Sequence, residues 1–235
     1  MASEEKNLPA IEFLKSIGAP NEFLQSLSNE HIQYLYERYS NLDGDIQFDG
    51  YTSEIVEIQE GNDDTLTRGQ ISTAKLLLTI DTINLVDQNN KVGTVYVDAC
   101  YEWLSDPILK MTDAHTFNYD SSLFYATELY ACSMYKLGDY GAIADEVTTP
   151  ETASDGGLGW YLSIGEGTME LGTNRGAASI VLKPEIAFTA GSKHCNMYYT
   201  YAHQILGASI GMAPSGPSVN ITSGNYDYQT VMYRY

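Results

Sequence analysis

From about residue 45 the chain alternates with a period of two, and this limits the folds open to it more than any other feature. Val92–Trp103 is the clearest stretch. Val95, Val97, Ala99, Tyr101 and Trp103 share one face, and Thr94, Tyr96, Asp98 and Glu102 share the other, as on a pleated strand. Gln70–Val86, rich in Ile, Leu and Thr, reads as its partner, because Asp87-Gln88-Asn89-Asn90-Lys91 between them has turn chemistry. Pro107 ends the second strand. Asp120–Lys136 fits either a helix capped by Asp120 or a strand, and its Tyr and Thr content favours the strand. Asp145–Gly157 reads as a loop, with shorter strands at Leu158–Ile164 and Ser179–Leu182, the latter stopped by Pro184. Asn196–Met212 and Ser218–Tyr235 read as arms of a long terminal hairpin around Ala213-Pro214-Ser215-Gly216-Pro217, interrupted at Ser223-Gly224-Asn225.

The first forty residues follow a helical period instead. Ile11, Phe13, Leu14 and Ile17 fall between Pro9 and Gly18, the residues that open and end helices. Phe23, Leu24 and Leu27 follow Pro20-Asn21, and Ser28 is a good N-cap for a third piece carrying Ile32, Leu35, Tyr36 and Tyr39. Each piece is too short to stand alone and must pack on something. The expectation is a mainly β protein: an antiparallel β-sandwich spanning 45–235, ending in a long hairpin, with a small N-terminal helical segment over 1–44.

Charge sets the partners. There are 12 Lys and Arg against 31 Asp and Glu, a formal charge of −19. Arg38, Arg68, Arg175 and Arg234 are scattered, so the clustered cations that neutralise nucleic-acid phosphates are missing. The same charge repels an anionic membrane at long range unless a divalent cation or receptor intervenes. No run reaches the length of apolar residues that a membrane helix needs. The polar opening, Met1-Ala2-Ser3-Glu4-Glu5-Lys6-Asn7, fits a cytosolic start or a mature exported chain beginning near Ala2 or Ser3.

Chemistry is sparse. His194 neighbours Cys195, but the two side chains of adjacent strand residues point apart, and His203 lies roughly 26 Å along an extended strand. His115, with Asp113 near it, reads as a loop histidine, and no Gly-x-Ser-x-Gly elbow is present. Asn41-Leu42-Asp43-Gly44-Asp45 begins like a calcium loop but carries Ile46 and Thr52 where Gly and Glu belong, so a solvated acidic turn is the simpler account, as for Asp49, Asn62, Asp63 and Asp64. His31, His115, His194 and His203 lack zinc-ligand spacing. Gly156-Gly157-Leu158-Gly159 lacks the Lys-Ser/Thr of a phosphate loop. Trp103 and Trp160 suit a core better than a sugar platform. The terminal hairpin is long enough for a membrane-inserting hairpin, though Tyr, His203 and Gln204 on both faces favour an ordinary sandwich hairpin. Cys100, Cys132 and Cys195 fit no metal spacing; three small core residues is the plain reading, and Cys100 with Cys132 is the expected pair if two are bridged. No catalytic, cofactor-binding or metal residue is assigned.

Three segments carry a family resemblance. Tyr101-Glu102-Trp103-Leu104-Ser105-Asp106-Pro107 with Met111-Thr112-Asp113 resembles a strand-to-loop signature of poorly characterised secreted proteins of Gram-positive bacteria. Gly157-Leu158-Gly159-Trp160-Tyr161 with Ser179-Ile180-Val181-Leu182-Lys183-Pro184 is similar to their central region, and Tyr201-Ala202-His203 leading into a Ser/Gly-rich hairpin is similar to their ending. The likeness covers roughly residues 95–235, and its motifs are short. The chain departs from the group in its acidity and in His203-Gln204. The group includes large heat-labile bacteriocins. The resemblance therefore implies a secreted, non-enzymatic, antibacterial protein acting on an envelope component or surface receptor of competing bacteria. The alternatives are a glycan- or cell-surface-binding sandwich module and a hydrolase built on a spatial carboxylate pair.

Overall fold

The computed structural model describes residues 7–59, 73–105, 112–135, 143–147, 149–163, 175–192, 195–204, 211–216, 218–223 and 226–235, with backbone alone for 59, 73, 128–135, 143–147, 163 and 223. Three helices come first: α1 (Leu8–Ser16), α2 (Asn21–Ser26) and α3 (Asn29–Tyr39). Gly18, at φ 102°, provides the left-handed residue that lets Ala19 N–H return to the Leu14 carbonyl at 3.0 Å and close α1. The Ser28 side chain accepts from His31 N–H and caps α3.

The strands follow as β1 (Asp45–Gln59), β2 (Thr73–Val86), β3 (Lys91–Trp103), β4 (Thr112–Asn118), β5 (Phe124–Tyr135), β6 (Ile143–Val147), β7 (Thr152–Ser154), β8 (Gly157–Ser163), β9 (Arg175–Pro184), β10 (Phe188–Thr189), β11 (Asn196–Gln204), β12 (Gly211–Ser215), β13 (Ser218–Ser223) and β14 (Tyr226–Arg234). One sheet runs β1-β2-β3-β9-β5-β6, with β10 joining the start of β3; a second runs β14-β11-β4-β8-β7; β12 and β13 form a small third sheet. Every pairing is antiparallel.

The fold is the expected antiparallel sandwich with a helical N-terminal segment. The hairpin of β2 and β3 is present. Its turn is held by Asp87, which accepts from the N–H groups of Asn89 and Lys91 at 2.8 and 2.9 Å. The Asp120–Lys136 ambiguity resolves as the strand β5. The Asp145–Gly157 stretch is not all loop, because β6 and β7 draw on it. The terminal hairpin is present as β11 against β14, with β12 and β13 nearer its tip; residues 205–210 and 224–225 between them lie outside the described residues.

The main core lies between the two large sheets. Leu76, Leu78 and Ile80 of β2, Val95, Val97 and Tyr101 of β3, and Ile180 and Leu182 of β9 meet Phe117, Trp160, Tyr199, Tyr201, Val231 and Tyr233 of the second sheet. Both tryptophans, Trp103 and Trp160, are buried there as core residues. The other face of the larger sheet is also covered. Ala10, Leu14, Phe23, Ile32 and Leu35 of the helices pack on Ile83, Cys100 and Ala177. The short helices thus find the partner that their length requires. The alternate face of β3, polar in the sequence, is consequently buried under α3.

Candidate functional site

Residues of β11 alternate between the core and the outer face of the second sheet. Met197, Tyr199 and Tyr201 turn inward and are buried, while the intervening positions face outward. The register stacks Thr116 of β4, Thr200 of β11 and Thr230 of β14 side by side across three strands. The Thr200 and Thr230 hydroxyls hydrogen-bond at 2.8 Å. Next along the pair, Ala202 stands opposite Tyr228, whose ring is 56% exposed.

The tip hairpin of β12 and β13 folds over this same face and turns it into a cleft. Asn118 holds the tip by accepting from Val219 N–H at 2.7 Å and donating to the Val219 carbonyl at 3.0 Å. Gly157 and Gly159 allow the close approach: a Cβ on Gly157 would lie 2.6 Å from the Val219 nitrogen, and one on Gly159 would lie 2.9 Å from the Met212 sulfur. Met212 and Ile221 pack with Ala114, Ala202, Tyr161 and Tyr226 beneath. The resulting cleft, of about 300 Å³, is lined by Thr116, Thr200, Asn220, Ile221, Tyr226, Tyr228 and Thr230. Among the described residues its lining carries no charged side chain, in a chain of net charge −19. Such a wall offers hydroxyl and amide hydrogen bonds with an aromatic ring to stack on. That chemistry suits a neutral, hydroxyl-rich ligand.

Among the described residues, two of the polar clusters inside the molecule are built on fully buried carboxylates. In the sandwich core the Asp113 carboxylate accepts from the Tyr201 hydroxyl at 2.6 Å and from Gln204 N–H at 3.1 Å, and it pairs with His203 Nδ1 at 3.0 Å. Trp103 Nε1–H donates to the Tyr201 oxygen at 3.1 Å. His115 is in β4, not in a loop; it is fully buried, with Nδ1 at 2.9 Å from the Tyr199 hydroxyl, because its neighbours in register, Trp160 and Tyr201, belong to flanking strands. Burial alone holds its imidazole down at about 3, so it is neutral at ordinary pH. Asp113 and His203 have the pairing that orients a general base, yet both are wholly buried, and among the described residues His203 Nε2 has no hydrogen-bond partner.

The second cluster lies between α3 and the larger sheet. Asp98 stands opposite Asp81 on β2 and opposite Ser179 on β9. Its carboxylate accepts from the Tyr39 and Ser179 hydroxyls and from Tyr34 at 3.4 Å, with Arg38 Nε 3.7 Å away. Arg175 joins Glu30 of α3, at 2.7 Å, to Glu102 of β3, at 3.3 Å. Asp81 and Asp98 form a spatial carboxylate pair, but under a helix and not in a cleft.

His31 and Cys100 meet beneath α3, with Nε2 3.1 Å from the sulfur, and the other residues considered from sequence do not converge among the described residues. Cys195, just before β11, is half-buried, donates its backbone N–H to Tyr235, and has a thiol pushed up by burial to about 11. Eight residues of extended strand separate it from His203. Cys100 is a free thiol, which overturns its pairing with Cys132. The backbone of Cys132 pairs with Ala178 and that of Cys100 with Ala177, so β9 runs between them at two strand spacings, roughly 9.6 Å, beyond a disulfide's span. Asp43 and Asp45 are exposed at the entry to β1. Asn62, Asp63, Asp64, His194 and the Cys132 side chain lie outside the described residues. The cleft escaped the sequence reading because Thr116, Thr200 and Thr230 become neighbours only through strand register; the one available signal was the uncharged, Thr- and Tyr-rich ending. No protein-family model matches the chain, and no curated protein matches it.

Proposed function

We propose that this chain is a binding protein whose outer cleft takes a neutral glycan of a bacterial envelope. The observation that carries the reading is the uncharged wall of Thr116, Thr200, Thr230 and Asn220 beside the exposed Tyr228 ring. Sugar hydroxyls hydrogen-bond to side chains of this kind, and a pyranose face stacks on a tyrosine ring. The −19 charge supports the same choice, because it disfavours anionic polymers and anionic lipid as the point of attachment. The segmental resemblance to secreted Gram-positive proteins supports a secreted role in which the bound envelope is a competitor's and binding leads to killing.

The test titrates purified neutral cell-wall polysaccharide into the protein, with an anionic teichoic acid as the charged comparison. Saturable binding to a neutral polymer, weakened about 10-fold or more by Tyr228→Ala, is the expected outcome, an effect of roughly 1.4 kcal/mol. Absence of binding, or equal binding by Tyr228→Ala, sinks the cleft. Spotting the protein beside a boiled control on Gram-positive lawns tests killing separately. Clearing that boiling abolishes supports it, and no clearing on any lawn leaves a binding module without antibacterial action.

A further inference from the structure

The buried cluster beneath α3 leaves one group unexplained. Asp81 is 0% exposed, and neither of its carboxylate oxygens has a hydrogen-bond partner among the described residues. Burying a carboxyl without partners costs several kcal/mol. Asp98 faces it across the strand pair, and among the described residues nothing gives either oxygen a hydrogen bond. A different partner is called for.

The neighbours of Asp81 indicate which. Cys100 is diagonal to it, two residue pairs along the β2–β3 ladder, on the same helix-facing side. His31 reaches down from the first turn of α3, and its Nε2 lies 3.1 Å from the Cys100 sulfur. One ligand atom from each of His31, Asp81 and Cys100 lies within 4.8 Å of the other two, and all three residues are buried. An imidazole, a thiolate and a carboxylate are the donors that tetrahedral Zn²⁺ prefers.

We propose that His31, Asp81 and Cys100 bind a zinc ion that fastens the helical segment to the larger sheet. The two anionic ligands cancel the ion's charge, which removes the penalty of burying it. The Thr79 hydroxyl donates to the Cys100 sulfur and holds its orientation. Asp98 is already engaged by Tyr34, Tyr39, Ser179 and Arg38, so the site offers the ion three protein ligands. Its place between α3 and the larger sheet gives the ion a fastening role. The proposal is independent of the outer cleft.

The experiment measures zinc in protein purified without chelator, then unfolds it with chelator, refolds it and loads it with Co²⁺ or Zn²⁺. About one zinc per chain, and a sulfur-to-cobalt charge-transfer band in the near ultraviolet, are expected. Cys100→Ser should abolish the band, and the near-isosteric Asp81→Asn should weaken metal retention about 10-fold or more. The parent cobalt spectrum tests the site even if a variant fails to fold. Refolded parent protein with native tryptophan fluorescence but no cobalt–sulfur band overturns the proposal. So does equal metal content in the parent and both variants, which marks ions held by the acidic surface.

Discussion

Replacing His115 by Gln should reverse the order of stability between the variant and the parent as the pH falls. His115 sits against the rings of Tyr101, Trp160 and Tyr199 in the sandwich core, and desolvation takes its pKa from 6.5 to about 3. For a base held below its unfolded pKa, the unfolded chain takes up the proton first. The stability it contributes is therefore complete above 6.5 and drains away as the pH falls towards about 3. pH 4 lies about 2.5 units into that window, and at about 1.4 kcal/mol per unit the parent loses about 3 kcal/mol through this residue. His115→Gln costs about 1–3 kcal/mol at pH 7, for the altered packing and the changed bond to Tyr199, but it has no such loss on acidification. All other titrating groups are shared and cancel in the comparison. Urea unfolding followed by the fluorescence of the buried Trp103 and Trp160 measures both proteins at pH 7, 5.5 and 4. The gap should close by about 3 kcal/mol at pH 4. A gap that stays constant within about 0.5 kcal/mol would show that His115 is solvated in the folded state, and the reasoning would fail.

Asn118→Ala removes both hydrogen bonds to Val219 and strands that residue's N–H and carbonyl at the base of the tip hairpin. Hydrogen exchange at 218–221 should quicken by about 10-fold or more while the β2 and β3 amides keep their protection. Tyr39→Phe leaves the buried Asp98 short of a donor, so global stability should fall by about 1–3 kcal/mol in chemical denaturation. An unchanged midpoint would place Asp98 in contact with water.

The strand period, the β2–β3 turn and the helical spacing of residues 8–39 were legible because each depends on residues close in sequence. What covers each face was not. Thr94, Asp98 and Glu102 read as the polar face of the strand, and only the packing of Tyr34 and Tyr39 of α3 on Asp98 makes that acid interior. The same ignorance of partners made His115 look like a loop residue, although its neighbours Trp160 and Tyr201 come from strands far along the chain. His31, Asp81 and Cys100 come from a helix and two strands, so no ligand spacing links them. The cysteine pair failed for a related reason. Two strands were recognised, but nothing in their sequences tells that β9 inserts between them.

That interleaving also sets the order in which the protein is made. Val97 waits for Ile180 and Thr116 for Thr200, so on a ribosome most of the chain must emerge before either large sheet can complete. The β1–β2–β3 hairpins can pair as they emerge, but β3 and β4 wait with open edges for β9 and β11. Folding then depends on closing long loops before non-local contacts repay their entropy, which places it in the millisecond-to-second range typical of all-β topologies. A chain in this position exposes open strand edges until its last third has emerged, and such edges are where aggregation starts.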